Sequence, residues 1–244
     1  MKDNINCDRR ILVEQEVNAL WPTIKHIPLM QDLWAMNIPA IITNLRFFEL
    51  KRGRFVFQSG DPATSMYIIC RGHMKIFYNT IDGKEQIYYL YQEGDFVGGH
   101  NILEGTSYLY TGETLDDCLV AEISKDIFDR YLSHNIAIMR RILHKSFERI
   151  RWAEDLIQRL ATKNTAMKVA DLLLRLKENY GYRTPEGIRI ELNINREEMG
   201  NFSGITRETI TRKLGEFKDL GYIDYIGNKV ILIKDLEALR NYCF

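Results

Sequence analysis

The fold of this chain is decided by one stretch, Ile205-Thr206-Arg207-Glu208-Thr209-Ile210-Thr211-Arg212-Lys213-Leu214. Its apolar residues Ile210 and Leu214, followed by Phe217, recur at helical spacing and predict one buried helix face. The opposite face carries arginine, which can bridge two acceptors of guanine, and glutamate, which can accept a hydrogen bond from cytosine. The stretch therefore predicts a helix that contacts bases in the major groove of DNA.

The residues before this helix predict a partner helix and a turn. Asn195 stands where it can cap a short helix over residues 196–202, and Glu198 occupies the third helical position of a capping box. Gly204 then supplies the turn into the recognition helix. The flanking segments add β structure, because Gly187 to Leu192 alternates apolar and polar residues and Gly227-Asn228 separates two β-rich runs. This order predicts a winged helix-turn-helix.

A long helix is predicted upstream, since residues 113–180 contain neither glycine nor proline. Apolar and small residues repeat there every seven positions in two interleaved series. This pattern predicts the seam of a parallel coiled coil. The seam comprises Ile136, Met139, Leu143, Ser146, Ile150, Ala153, Ile157 and Leu160. We predict a homodimer, which would present two recognition helices about 34 Å apart; a helix packed on its own domain is the alternative.

The preceding part of the chain predicts β structure. Short β-branched or aromatic runs cover Arg54 to Phe57, Ser65 to Ile69, His73 to Tyr78 and Gln86 to Tyr91. Turns rich in glycine separate them, a pattern typical of an antiparallel barrel or jelly roll. The predicted fold class is therefore α+β, with an N-terminal antiparallel β-roll, a long dimerisation helix and a C-terminal winged helix-turn-helix.

The run from Lys51 to Ile76, KRGRFVFQSGDPATSMYIICRGHMKI, resembles the start of the cyclic-nucleotide-binding β-roll. Together with the pattern Arg207-Glu208-x-x-x-Arg212, it makes the chain similar to the CRP/FNR family of bacterial transcription regulators. We predict an effector-sensing β-roll with a helical lead-in at residues 1–130, a dimerisation helix at 131–161 and a DNA-binding domain at 162–244. The resemblance covers the chain from about residue 40 onward. It also implies a homodimer on a palindromic site of double-stranded DNA, and RNA polymerase as a partner.

The resemblance assigns roles on the DNA-binding domain. Base contacts are expected from Arg207, Glu208, Thr211 and Arg212, on TGTGA-like half-sites or, because the position of Thr211 varies in the family, FNR-like ones. Contacts to the DNA backbone are expected from Arg196, Thr206, Thr209 and Lys213.

The segment Gly94 to Gly105 departs from the family pattern for cAMP, since Gly99 stands at the position of the ribose-binding acid. Residues 95–124 contain no lysine or arginine but carry Asp95, Glu104, Glu113, Asp116, Asp117 and Glu122. A phosphate needs a cation or amide donors in place of its hydration. We therefore predict an effector other than cAMP.

Three other sensing chemistries remain. An iron-sulfur cluster is disfavoured, because Cys7, Cys70, Cys118 and Cys243 are far apart in sequence and a cluster needs grouped thiolates. A haem is left open, since the segment ending in His100 resembles a haem-ligating segment of the CO-sensing subgroup. A small organic effector is favoured by the aromatic residues of the roll. Its predicted pocket is lined by Tyr89, Tyr91, Phe96, Gly98, His100, Tyr108 and Tyr110.

Other protein classes find little support. The five histidines never form the His-x-His pair of a jelly-roll metal enzyme, which stays a remote alternative, and no catalytic or metal residues are predicted. A formal net charge of zero argues against an unselective nucleic-acid coat. No apolar run approaches the roughly 18 residues of a membrane span, and the N-terminus is polar. We predict a cytoplasmic protein.

Overall fold

The computed structural model describes residues 9–36, 38, 41, 44–81, 83–105, 107–161, 164–227 and 230–243, without the side chains of residues 155 and 158–160. The chain divides into two compact units. The first comprises Met1–Tyr78 and Tyr89–Trp152, and the second comprises Asn79–Tyr88 and Ala153–Phe244. In the described part of the chain, no helix has both the length and the apolar character needed to span a membrane.

Antiparallel strands dominate the N-terminal part of the chain. They are β1 (Arg10–Ile11), β2 (Arg46–Leu50), β3 (Phe55–Phe57), β4 (Ser65–Arg71), β5 (Met74–Asn79), β6 (Glu85–Tyr91), β7 (Phe96–Val97), β8 (Thr111–Thr114) and β9 (Cys118–Ser124). One sheet has the order β1-β2-β9-β4-β7 and another has the order β3-β8-β5-β6. Ile68 and Val120 of the first sheet share one apolar core with Ile76 of the second. The predicted β-roll is confirmed.

The turn between β4 and β5 shows why glycine is needed at one of the predicted breaks. Gly72 has a φ of +92°, which L side chains rarely adopt. A Cβ atom there would also lie 2.9 Å from the backbone oxygen of Asp117. Gly72 thus permits the close approach of two chain segments at this end of the roll.

Helices surround the strands of the first unit and lead out of it. They are α1 (Glu14–Ile24), α2 (Pro28–Ala35), α3 (Gly99–Glu104), α4 (Lys125–Ile127) continued by a π-helical turn (Phe128–Leu132), and α5 (Ile136–Ala161). The long helix α5 begins after Asn135, whose side chain accepts hydrogen bonds from the amides of Ala137 and Ile138. Ile138 and Ile142 bury one face of α5 in the core of the roll.

The second unit combines helices with a small antiparallel sheet. Its elements are α6 (Thr165–Tyr180), β10 (Gly181–Thr184), β11 (Gly187–Glu191), α7 (Arg196–Ser203), α8 (Arg207–Asp219), β12 (Ile223–Ile226), β13 (Val230–Ile233) and α9 (Leu236–Arg240). The sheet order is β10-β11-β13-β12. Ile226 pairs with Val230 across the predicted hairpin, of which Asn228 lies outside the described residues. The predicted winged helix-turn-helix is confirmed.

Candidate nucleic-acid interface and effector site

The N-terminus of α7 has the predicted capping box. The side-chain oxygen of Asn195 accepts hydrogen bonds from the amides of Glu197 and Glu198, each at 2.9 Å. In return the Glu198 carboxylate accepts from the amide of Asn195 at 2.8 Å. These bonds satisfy backbone donors that the first helical turn leaves unpaired, and they fix where α7 begins.

The turn from α7 to α8 depends on two glycines, one of which sequence reasoning missed. Gly204 ends α7 in the left-handed region with a φ of 65°, as predicted. Gly200 lies inside α7, where a Cβ atom would stand 2.6 Å from the backbone oxygen of Ile205. A glycine in a helix interior usually destabilises it, so its presence was a signal that the two helices approach closely here.

The recognition helix α8 has one buried and one exposed face. Ile210, Leu214 and Phe217 are buried, as their spacing predicts. Thr206 caps the helix, since its hydroxyl oxygen accepts from the amide of Thr209 at 3.3 Å. The cap sets the first turn of α8 and with it the direction of the exposed side chains.

The side chains predicted to contact bases share the exposed face of α8. Arg207, Glu208, Thr211 and Arg212 are all exposed. Arg212 donates to Glu216 at 2.8 Å, and the Thr211 hydroxyl donates to the backbone oxygen of Arg207 at 2.9 Å. Hydrogen bonds from its own backbone amide and from Thr206 hold the pKa of Glu208 below its usual range. The face therefore presents charged groups at neutral pH.

The side chains predicted to contact phosphates are more constrained. Lys213 is half-buried and pairs with Glu216 at 2.6 Å. The Arg196 guanidinium lies 4.9 Å from the centre of the Tyr225 ring, on strand β12 of the wing. The hydroxyls of Thr206 and Thr209 lie 3.2 Å apart at the start of α8. Thr206 and Thr209 thus place two hydroxyls together beside the exposed face.

The wing has an ionic cluster that sequence reasoning missed. Asp224 pairs with Lys218 at 3.2 Å and with Lys234 at 2.9 Å. Lys234 and Lys218 donate to this carboxylate, and so does the amide of Tyr225, and together they hold its pKa well below its usual range. Lys218 also lies over the Tyr225 ring at 5.2 Å. The cluster joins the end of α8 to β12 and to the residue that follows β13.

The predicted dimer seam forms an exposed apolar stripe along α5. The exposed fractions of Ile136, Leu143, Ile150 and Ile157 are 76%, 54%, 52% and 68%. Phe147, which lies between them on the helix, is 50% exposed. The interleaved residues Met139, Ser146 and Ala153 are half-buried, and the side chain of Leu160 lies outside the described residues. Large apolar side chains left in water on one helix face indicate a surface that binds a partner.

The predicted effector residues separate into two groups, of which the first surrounds a residue of α5. The Arg149 guanidinium lies 5.1 Å from the ring centre of Tyr89 and 5.6 Å from that of Tyr91. Its Nη1 donates to Nδ1 of His100 at 3.1 Å. Tyr89 also stacks with Trp152, with ring centres 6.0 Å apart. We call Arg149, His100, Tyr89, Tyr91 and Trp152 the Arg149 cluster.

The second group belongs to the core of the roll. The Tyr108 hydroxyl donates to the backbone oxygen of Ser65 at 2.5 Å, and its ring stacks on Phe57 with centres 4.3 Å apart. Gly98 lies against the same ring, since a Cβ atom there would be 3.2 Å from Tyr108. Phe96 is buried and Tyr110 packs half-buried against this core. These residues hold the roll together.

Comparison with known proteins identifies both units. The sequence-family model of the cyclic nucleotide-binding domain matches residues 47–135, and the family model of the Crp-like helix-turn-helix domain matches residues 167–242. The chain is 30% identical over 190 residues to an anaerobic regulatory protein of Haemophilus influenzae, covering 78% of this chain and 73% of the relative. The chain belongs to the CRP/FNR family of transcription regulators.

Two further relatives agree with this assignment. Electron transport regulator A of Shewanella oneidensis is 29% identical over 188 residues, which cover 77% of this chain and 75% of that protein. The structure of FixK2 from Bradyrhizobium japonicum superposes with a TM-score of 0.72 at 21% identity, covering 80% of this chain and 96% of the other. The FixK2 structure shows that the two proteins share a fold.

In the folded CRP/FNR chain, cations do lie beside the segment that departs from the cAMP pattern. Residues 95–124 contain no cation of their own, but the structure brings cations to them from outside. Lys145 pairs with Asp95 at 3.0 Å, Arg149 contacts His100, and Lys125 donates to the backbone oxygen of Ile102 at 2.9 Å. The sequence of residues 95–124 gave no sign of Lys145 and Arg149, because these residues of α5 lie far away along the chain. The exclusion of cAMP stays a prediction, resting on Gly99 in place of an acid.

His100 fits a haem ligand poorly in this regulator. Burial and the charge of Arg149 lower its pKa to about 4, so the ring is neutral at pH 7. Because arginine can only donate, Nδ1 of His100 accepts and the ring proton resides on Nε2. Neither ring nitrogen then offers a free electron pair to a metal.

The thiols and acids of this regulator show no metal centre either, within the described residues. No group of three or more histidine, cysteine, aspartate or glutamate side chains is positioned to hold an ion there. Burial raises the pKa of Cys70 to about 12 and that of Cys118 to about 12. Such thiols stay protonated and unreactive at neutral pH. Cys7 lies outside the described residues.

Proposed function

We propose that this regulator binds a palindromic DNA site as a homodimer, with TGTGA-like or FNR-like half-sites, under the control of a small-molecule effector other than cAMP. The observation that carries the proposal is the exposed face of α8, where Arg207, Glu208, Thr211 and Arg212 stand opposite a buried apolar face. These side-chain types can form hydrogen bonds with base edges in the major groove. Arg196, Thr206, Thr209 and Lys213 then contact phosphates and fix the register.

The exposed stripe of α5 supports the dimer. Ile136, Leu143, Ile150 and Ile157 lie seven residues apart, so a second copy of the helix running parallel covers all of them at once. Two recognition helices related by the resulting twofold axis match two half-sites about one turn of DNA apart. A palindromic DNA site is therefore the partner that matches this symmetry. We infer that the bound dimer regulates transcription in the cytoplasm and that RNA polymerase is its further partner.

Two other functions are ranked below this one. A haem sensor using His100 is disfavoured by the hydrogen bond that Arg149 donates to its ring. A jelly-roll metal enzyme is disfavoured because the matched relatives are transcription regulators. Spectra of the purified protein test the first alternative, since a bound haem gives an intense band in the near ultraviolet.

Selection from a random DNA library tests the proposal. We expect an inverted repeat to be enriched, and fluorescence polarisation to show saturable binding of that repeat. Arg212→Ala should relax specificity at one base pair of each half-site, whereas Arg130→Ala, a change at an exposed arginine of the roll, should leave binding unchanged. Enrichment of a site without symmetry would contradict the homodimer, and failure to enrich any sequence would contradict specific DNA binding.

A further inference from the structure

Arg149 is a half-buried cation that lacks an acidic partner. Its guanidinium contacts two tyrosine rings and the neutral imidazole of His100. Among the residues that the structure describes, no carboxylate lies within ion-pair distance of it. A charge taken partly out of water is costly unless an opposite charge or enough hydrogen bonds compensate it. Within the described residues, the surroundings of Arg149 supply ring faces, the nearby Tyr91 hydroxyl and one acceptor at hydrogen-bond distance, Nδ1 of His100.

The acids near Arg149 are already neutralised. Asp95 is buried and pairs with Lys145 at 3.0 Å. Glu148, the preceding residue of α5, also pairs with Lys145, at 2.9 Å. Both carboxylates are thus engaged by one lysine, and the positive charge of Arg149 is left for a group that the described residues do not provide.

The hydroxyl of Tyr91 is a second unsatisfied group in the same place. Tyr91 is only 3% exposed, and its hydroxyl lies near the Arg149 guanidinium but makes no hydrogen bond of normal geometry to any described residue. Buried hydroxyls in proteins nearly always have a hydrogen-bond partner. Since the Arg149 guanidinium lies over the Tyr91 ring, a single acceptor group can satisfy both residues.

We propose that the Arg149 cluster binds a small organic anion that carries a flat ring. A carboxylate of the ligand pairs with the Arg149 guanidinium and accepts a hydrogen bond from the Tyr91 hydroxyl. Its ring lies against the aromatic faces of Tyr89 and Trp152. This inference rests on the proposed function, because it names the chemical class of the effector that controls DNA binding.

Benzoate is the probe, and benzamide, which has nearly the same shape without the charge, is its control. Calorimetry on the full-length protein should show saturable benzoate binding and at least about tenfold weaker binding of benzamide. Arg149→Gln should weaken benzoate binding by about tenfold or more, and Tyr91→Phe by about fivefold. Arg151→Gln, an exposed arginine two residues further along α5, should change nothing. Thermal unfolding of each variant shows whether it is folded. If Arg149→Gln does not fold, the Tyr91→Phe variant still tests the site.

The outcomes separate this inference from the proposed function. Three results would overturn the anion site: equal binding of benzoate and benzamide, undiminished benzoate binding by Arg149→Gln, or no benzoate binding at all. The last result would fit an Arg149 that pairs with a carboxylate of a second copy. Binding of cAMP that depends on Arg149 would assign the cluster to a nucleotide and overturn it too. Operator binding measured in parallel tests the regulator: benzoate binding without specific DNA binding refutes the function and leaves the site standing.

Discussion

The stability of this regulator should fall sharply as the pH drops from 7 to 5, and His100 should account for much of the loss. Burial and the neighbouring Arg149 charge lower the pKa of His100 from 6.5 to about 4 in the folded chain. The unfolded chain takes up a proton on this residue as the pH falls below about 6.5, whereas the folded chain does not until about pH 4. The unfolded state binds more protons in this window, so the free energy of unfolding decreases there.

The magnitude follows from the difference between the two pKa values. Each pKa unit is worth about 1.4 kcal/mol, so the complete loss, reached when the pH is below both pKa values, is at most about 3.5 kcal/mol. Because the ring is half-buried, solvent screens part of this, and about 1–2 kcal/mol should be lost between pH 7 and pH 5. Above pH 7 the contribution of His100 should be constant.

Urea unfolding of the wild type and of His100→Gln, measured at matched pH values, isolates this contribution. All other titrating groups are common to both proteins, so their effects cancel in the difference between the two free energies of unfolding. We expect that difference to shift in favour of His100→Gln as the pH falls from 7 to 5. A difference that stays constant over this range would show that His100 titrates normally and that its ring is neither desolvated nor beside a cation.

Three further changes test the DNA-binding unit and the dimer. Arg212→Ala should cost roughly 1–3 kcal/mol at its cognate base pair and relax specificity there; equal weakening on every DNA in polarisation assays would make Arg212 a phosphate contact instead. Ile150→Asp should place a charge in the apolar seam and give monomers with much weaker operator binding, so a dimer that survives in analytical ultracentrifugation contradicts the seam. Gly200→Ala should destabilise the helix-turn-helix by about 1–3 kcal/mol or more, because its Cβ would stand 2.6 Å from the Ile205 oxygen; an unchanged urea midpoint would refute that contact.

The parts of the fold that depend on local interactions were predictable from the sequence. The capping box at Asn195 and Glu198 involves residues three apart, and the buried face of α8 follows from helical periodicity alone. The exposed stripe of α5 is likewise visible as a seven-residue repeat, since the repeat reports which side chains share a helix face. In each case the physical cause lies within one or two helical turns.

The Arg149 cluster could not be predicted in the same way, because its residues come from distant parts of the chain. Tyr89, Tyr91 and His100 attract notice as aromatic or titratable residues, but nothing in their neighbourhood indicates Arg149, which follows His100 by 49 positions. The close approach at Gly200 was missed for a similar reason. A glycine in a sequence can indicate that space is restricted, but it does not identify the neighbouring atom, here the backbone oxygen of Ile205. Long-range pairing decides which charges meet, and periodicity carries no information about it.

The position of Arg149 also suggests how an effector changes DNA binding. Arg149 is adjacent in sequence to Ile150, a residue of the exposed seam, so one turn of α5 carries both the cation of the proposed anion site and part of the predicted dimer seam. A ligand alters the balance between two states only by its different affinity for them. An anion that pairs with Arg149 favours those states in which the guanidinium faces the cluster, and it thereby restricts the rotation of α5 about its axis. Since Ile150 rotates with the same helix, an effector that favours one orientation of α5 also favours one geometry of the seam.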